Sequence, residues 1–266
     1  MILVLVLAAC TGDPQVDDTD SDTAVGDCPT GTAWFQGSEG DPSDVTSELD
    51  ALTLDQDGTL TFCGGEHAVQ LDVSANVTLR TDPAFDRAVL TAANDTHVYL
   101  TKSGIDLTVE DLDFTGGNNC WASAILGAVV SECDRLEFEP ITADIVLRRT
   151  HMYGNTFDTG GGVVAITGDT TLTLEESFIS DNEGHGIFAV NANMVCTNGG
   201  VHDNTKTGIW SVQNEDAAGT YTIDSTSCDW SGAGYNSVIL DFDQAITFDF
   251  GEDATFACDS GSQSCG

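Results

Sequence analysis

A short apolar triplet returns along most of this chain, and its return restricts the fold more than any other feature. Val77-Thr78-Leu79, Leu107-Thr108-Val109, Ile145-Val146-Leu147, Leu172-Thr173-Leu174, Met194-Val195-Cys196, Tyr221-Thr222-Ile223 and Ile246-Thr247-Phe248 recur every 22 to 38 residues. Counted from the last residue of each triplet, the fifth position holds Phe114, Met152, Ile179, Val201 and Cys228, all expected to point inward. The eighth holds Gly117, Asn155, Asn182, Asn204 and Ser231. After three of these a glycine opens a second strand, at Gly162-Val-Val-Ala-Ile166, Gly186-Ile-Phe-Ala-Val190 and Gly208-Ile-Trp-Ser-Val212. A unit of about 25 residues with short strands, Gly/Asn turns and no helical period cannot bury its apolar face alone, so successive units must stack. The expected fold class is all-β, a solenoid of about seven coils.

The opening stretch Gly58-Thr-Leu-Thr-Phe-Cys-Gly-Gly-Glu-His67, then Val69-Gln-Leu-Asp-Val73 and Val77-Thr-Leu-Arg80, looks like a first coil. Together these features resemble the right-handed parallel β-helix proteins of the pectate-lyase-like superfamily, over residues 45–258. The resemblance implies a right-handed parallel β-helix whose equivalent residues stack about 4.8 Å apart. It implies little about function, because pectate lyases, polygalacturonases, phage tailspikes and adhesins share the fold. In such a stack Asn155, Asn182 and Asn204 have two structural readings. They form an amide ladder along the axis, or they serve only as residues that tolerate a left-handed turn. The long interval between Val109 and Ile145 places an insertion at about 120–140. Residues 45–54 have helix-like apolar spacing and are expected to cap the first coil, since an open solenoid end exposes strand edges.

Residues 1–9, MILVLVLAA, run directly into Cys10. The tetrad Leu7-Ala8-Ala9-Cys10 resembles the lipobox of bacterial lipoproteins. That resemblance implies a signal peptide over 1–9, lipidation of Cys10 and contact with a membrane through the lipid anchor only. No other apolar run approaches the roughly 20 residues that a spanning helix needs. Residues 10–44 read as an acidic flexible tether, extended by the repulsion among its Asp side chains, and 259–266 as a C-terminal tail. The expected location is the bacterial cell envelope, as an outer-membrane or surface lipoprotein. Eight cysteines remain besides Cys10. An even number in an exported chain suggests disulfides, and the short-range pairs expected are Cys120 with Cys133 and Cys258 with Cys265.

Composition narrows the partners. With 44 acidic residues against 7 basic ones, the net charge is -37. Nucleic acid is excluded, because a phosphate-binding surface needs clustered Lys and Arg. A polyuronate would also be repelled unless calcium bridged it to the protein.

Few residues are candidates for chemistry. Gly184-His185-Gly186 matches one element of the polygalacturonases, whose paired Asp and Arg-x-Lys elements are absent here. Arg148 and Arg149 would be the obvious catalytic residues of a lyase, but register gives them another use. Glu110, Arg148 and Glu175 fall at position one of successive coils, and Asp111, Arg149 and Glu176 at position two, which predicts salt-bridge ladders. Lys102 and Lys206 remain, neither with an evident carboxylate constellation. Asp181 and Asp203 share a position on adjacent coils. Carboxylates that close invite a cation, and oxygen-rich sites suit calcium; the other reading is two solvated surface acids at turn ends. Phe188 and Trp210 also share a position, and have two readings: ligand-facing aromatics for a sugar ring, or packing beneath a loop or insertion. His67, His97, His151, His185 and His202 show no ligand spacing, and no nucleophile elbow or phosphate loop occurs. The expected function is a non-catalytic binding or structural module, carbohydrate-binding or adhesive, whose partner is a polysaccharide or protein surface. The alternative is a calcium-dependent polysaccharide lyase or another carbohydrate-active enzyme of the pectate lyase type.

Overall fold

A computed structural model of the protein describes residues 28–119, 121–130, 138–156, 161–168, 170–190, 192–212, 223–229, 238–241 and 249–250. Over these residues the repeat becomes an all-β parallel β-helix. The triplets are the strands of one sheet, sheet A. Val77–Thr81, Ile105–Glu110, Ala143–Arg148, Thr171–Glu175 and Asn193–Thr197 run parallel, with Leu79, Val109, Leu147, Leu174 and Cys196 opposite one another in turn. Gly58–Phe62 precedes them, and Ile223–Thr226 and Asp249–Phe250 follow.

From sheet A each coil turns into the six-stranded sheet C, which includes Leu112–Thr115, His151–Met152, Phe178–Ser180 and, at its end, Gly200–His202. It then enters the nine-stranded sheet B, through strands such as Ala122–Val130, Gly162–Thr167, His185–Val190 and Ile209–Val212. Alternation along each strand sends every second side chain inside. Phe114, Met152, Ile179 and Val201 stack there fully buried, as expected of the fifth position. Each such side chain contributes about 1.5–3 kcal/mol by leaving water.

Two turn positions hold the left-handed backbone coil after coil. Between sheets A and C it falls on Asp111, Arg149, Glu176, Asn198 and Ser227, with φ from 48° to 55°. Between sheets C and B it falls on Gly116, Gly154, Asp181 and Asp203, with φ from 52° to 74°. A non-glycine residue costs about 1–2 kcal/mol in this conformation, so something must hold these turns.

At the second turn the holder is the residue that follows. Asn155 Nδ2 donates to Asn182 Oδ1 at 3.0 Å, and Asn182 Nδ2 donates to Asn204 Oδ1 at 2.9 Å. Backbone amides join in: Gly117 N donates to Asn155 Oδ1, Asn155 N to Asn182 Oδ1 and Asn182 N to Asn204 Oδ1. All three asparagines are fully buried. Of the two readings, the ladder is the one realised, and the left-handed residue stands one place before each amide. The first turn has a smaller hydroxyl version, in which Thr150 N donates to Ser177 Oγ and Ser177 Oγ donates to Leu147 O.

Several expectations need correction. The folded unit begins inside the stretch read as a tether. Ala33–Gly37 pairs antiparallel with Gly58–Phe62 and with Ser43–Asp44, covering the first edge of sheet A, and Cys28 is bonded to Cys63. An open edge of that length needs a partner, and Ala33 and Phe35 supply the apolar face that docks it. The cap over 45–54 is no helix of any length. It is a single 3-10 turn, Thr46–Glu48, followed by a strand of sheet B, Leu52–Leu54, because Leu52 and Leu54 alternate inward with period two.

The triplet at Tyr221-Thr222-Ile223 misplaces its coil by two residues. Ile223 lies opposite Met194 and Ser225 opposite Cys196, so Cys228 takes the third position and not the fifth. There it forms a buried disulfide with Cys196. Within 120–140, Ala122–Val130 belongs to sheet B through Gly127, and its last residues, Ala128 to Val130, carry Phe138–Pro140 folded back antiparallel. Residues 1–27, Cys120, Cys133, Cys258, Cys265, Ser231 and the triplet 246–248 lie outside the described residues, and with them the expected lipidation site Cys10 and both expected cysteine pairs.

Candidate functional site

The outer face of sheet C concentrates the exposed groups with chemistry. Asp113, His151 and Phe178 form one outward row in register, and Ser180 and His202 belong to the next. Phe178 is 38% exposed and is, among the described residues, the one exposed large apolar side chain. Its ring stands edge-on to His202, with centroids 5.8 Å apart, while His151 lies 4.8 Å from the ring of Tyr153. Arg87 Nη1 meets Asp113 Oδ1 at 3.4 Å at one end of the face.

Proton positions on this face follow from counting donors. Ser180 Oγ has one hydrogen and gives it to Asp181 Oδ2, 2.9 Å away, because an ionised carboxylate can only accept. His151 Nε2, 2.9 Å from the same hydroxyl, must therefore be the donor. An imidazole that donates to the hydroxyl is not a base toward it, so Ser180 is no activated nucleophile. Burial pushes His151 below the ordinary imidazole range; Asp113 and Asp181 oppose this, while His202 and Arg87 add to it. His202 Nδ1 meets Asp203 Oδ2 at 2.9 Å.

Asp181 and Asp203 are thus accounted for without a cation. Each is the left-handed turn residue of its coil, and each faces a neighbouring side chain within hydrogen-bond distance. No group of three His, Cys, Asp or Glu able to hold a metal occurs among the described residues.

Arg148 ends a strand of sheet A, and Arg149 is the turn residue that follows it. Arg148 Nη1 donates to Glu110 Oε1 at 2.9 Å and its Nε to Glu175 Oε2 at 2.6 Å. These two bonds, Glu175 first, hold its guanidinium firmly protonated. Arg149 makes a two-bond fork with Asp111 at 2.8 and 2.7 Å, and Glu176 acts on it only through space. Arg80 stands opposite Glu110 in the same row, extending the alternation of charge by one coil. Sequence reasoning missed it, although it occupies position one after Leu79.

Phe188 and Trp210 do pair, opposite each other on sheet B with rings 5.1 Å apart. But Phe188 is only 2% exposed, packed with Trp121, Leu126 and Ala165, so it faces no ligand. His185 of Gly184-His185-Gly186 is buried beside Trp210, and its Nδ1 accepts from Thr207 N at 3.2 Å. Burial and then Lys206 push it down to about 4. A Cβ at Gly186 would press on Val201, Gly208 O and Asn204, which explains that glycine by packing.

No family model matches the chain, and no curated protein or solved structure matches it either.

Proposed function

We propose that this chain is a right-handed β-helix of the pectate-lyase-like kind, exported and lipid-anchored through Cys10, that binds a neutral glycan on the outer face of sheet C without catalysis. The observation that carries this reading is the exposed Phe178 ring, edge-on to His202 and in register with His151, with the exposed carboxylate of Asp181 at the turn that follows. An aromatic face takes the apolar side of a sugar ring, while the carboxylate and imidazole groups around it take the sugar hydroxyls. Coils repeat about every 4.8 Å, so a linear polymer laid along the axis meets a fresh side chain at each coil, Asp113, His151 and Phe178 in turn. A neutral ligand fits a chain with net charge -37 better than a polyuronate does. The engagement of Arg148 and Arg149 in ion pairs also favours binding over lyase chemistry.

The test is a binding assay on immobilised neutral polysaccharides and on polyuronates, with and without calcium, comparing wild type with Phe178→Ala. Retention on a neutral glycan that weakens at least about tenfold in the variant is the expected result. Equal binding by both proteins would sink the assignment of the face, and calcium-dependent release of unsaturated uronate would restore the lyase alternative. For the anchor, wild type should partition with membranes and Cys10→Ala should not.

A further inference from the structure

The two outward histidines of sheet C, His151 and His202, are each tied to the aspartate of a left-handed turn. In four successive coils the residue before that turn is Thr115, Tyr153, Ser180 and His202, and the turn residue itself is Gly116, Gly154, Asp181 and Asp203. Glycine takes the left-handed backbone without a steric penalty, and aspartate does not. Of these four coils, aspartate stands in the two where the preceding side chain bonds to its carboxylate.

Those two bonds decide where the ring protons sit. Asp203 Oδ2 accepts from His202 Nδ1, 2.9 Å away, because a carboxylate has no hydrogen to give. In the neutral His202 ring the lone pair is therefore on Nε2. Asp181 acts at one remove. It takes the hydrogen of Ser180 Oγ, which leaves that oxygen to accept from His151 Nε2 and puts the lone pair of neutral His151 on Nδ1. Ser180 is buried, and Asn182 Nδ2 holds its carbonyl from the inside at 2.9 Å, so the relay stands on the inner asparagine ladder. Among the described residues no other hydrogen bond reaches His151 Nδ1 or His202 Nε2. Both rings are half-buried, His151 beside the Tyr153 ring and His202 edge-on to Phe178. Burial pushes His151 below the ordinary imidazole range, which favours the neutral ring this arrangement uses.

We propose that Asp203, directly, and Asp181, through Ser180, are positioning residues that leave each ring with a lone pair unclaimed by the protein, so that the face recognises a glycan by the hydrogens of its hydroxyl groups. The proposal rests on the glycan site of sheet C and names what that site selects: polymers with free hydroxyls over the same polymers capped as ethers, whose oxygens can only accept. With the opposite tautomers the rings would donate, and hydroxyl and ether would serve alike.

Glycine already serves in this turn at positions 116 and 154, so Asp203→Gly and Asp181→Gly remove the carboxylates and keep the backbone. Nitrogen-15 NMR at about pH 8 reads the tautomers, with His202 identified by its contact with the Phe178 ring and His151 by that with Tyr153. The expected wild-type spectrum has the proton on Nδ1 of His202 and on Nε2 of His151. Asp203→Gly should move the first to Nε2, the tautomer that a free histidine side chain favours, and Asp181→Gly should raise the share of His151 protonated on Nδ1. A wild-type His202 protonated on Nε2 overturns the proposal even if neither variant folds, and so does a His202 tautomer indifferent to Asp203→Gly.

Selection is read by calorimetry with cellohexaose, xylohexaose and mannohexaose and with their O-methylated counterparts. Wild type should bind at least one free hexaose about tenfold or more tightly than its ether, and Asp203→Gly should shrink that ratio at least about threefold. Equal affinity for the two forms overturns the donor preference and leaves Phe178-dependent glycan binding standing. No binding to any of the hexaoses sinks the glycan site and the preference with it.

Discussion

The solenoid carries two ladders along its axis, one inside and one outside. Inside, Asn155, Asn182 and Asn204 are fully buried, and their amides bond to carbonyls and to one another. Outside, Glu110, Arg148 and Glu175 pair full charges at 2.6–2.9 Å, yet the Arg148 side chain is 40% exposed. Nominal charge would rank the outer ladder as the stronger. Solvent reverses that ranking: an exposed ion pair competes with water and salt, whereas a buried amide has only its neighbours. The comparison teaches that the inner ladder sets the shape of the turn and the outer one mainly neutralises stacked acids.

Substitutions can break this ranking or sharpen it. Asn182→Ala removes donors to Met152 O and Ser180 O and the acceptor of Asn155, leaving buried groups unpaired. It should cost about 3 kcal/mol or more in urea unfolding; a loss below about 1 kcal/mol would mean that the inner ladder is incidental. Gly186→Ala forces a methyl against Gly208 O, 2.6 Å away, and against Val201 and Asn204, the last rung. An expected loss of about 2 kcal/mol, with glycan binding retained in the folded fraction, would establish Gly184-His185-Gly186 as packing and not chemistry. Arg148→Met should cost less than about 1 kcal/mol, and the difference should fade as salt is raised toward 1 M. A larger, salt-independent loss would place the outer ladder on a par with the inner one.

How much of this was legible depends on how locally each feature is encoded. Strands, register and inward rows followed from the triplets, because period two and a fixed offset survive in sequence as spacing. The Arg148 pairing was legible for the same reason. The coil of Ile223 was not, because Tyr221-Thr222-Ile223 imitates the triplet while the Cys196–Cys228 bond fixes a register two residues away. Asp181 and Asp203 share a position because each is the left-handed turn residue of its coil, with φ of 57° and 52°, a backbone conformation that is invisible in a list of residue types. Phe188 and Phe178 sit ten residues apart, each in an outward row, and only burial tells the covered ring from the open one.

The bond between Cys28 and Cys63 also decides where a mechanical load would enter the molecule. A pull on the chain ahead of Cys28 passes through the disulfide directly to the end of the first parallel strand, because the two cysteines are 35 residues apart in sequence yet covalently joined. The antiparallel strand Ala33–Gly37 and its turn lie off that path, and roughly 120 Å of extensible chain is withheld from stretching. Tension is delivered to a strand held on both sides by neighbours, where it must shear a ladder of hydrogen bonds rather than peel an edge away.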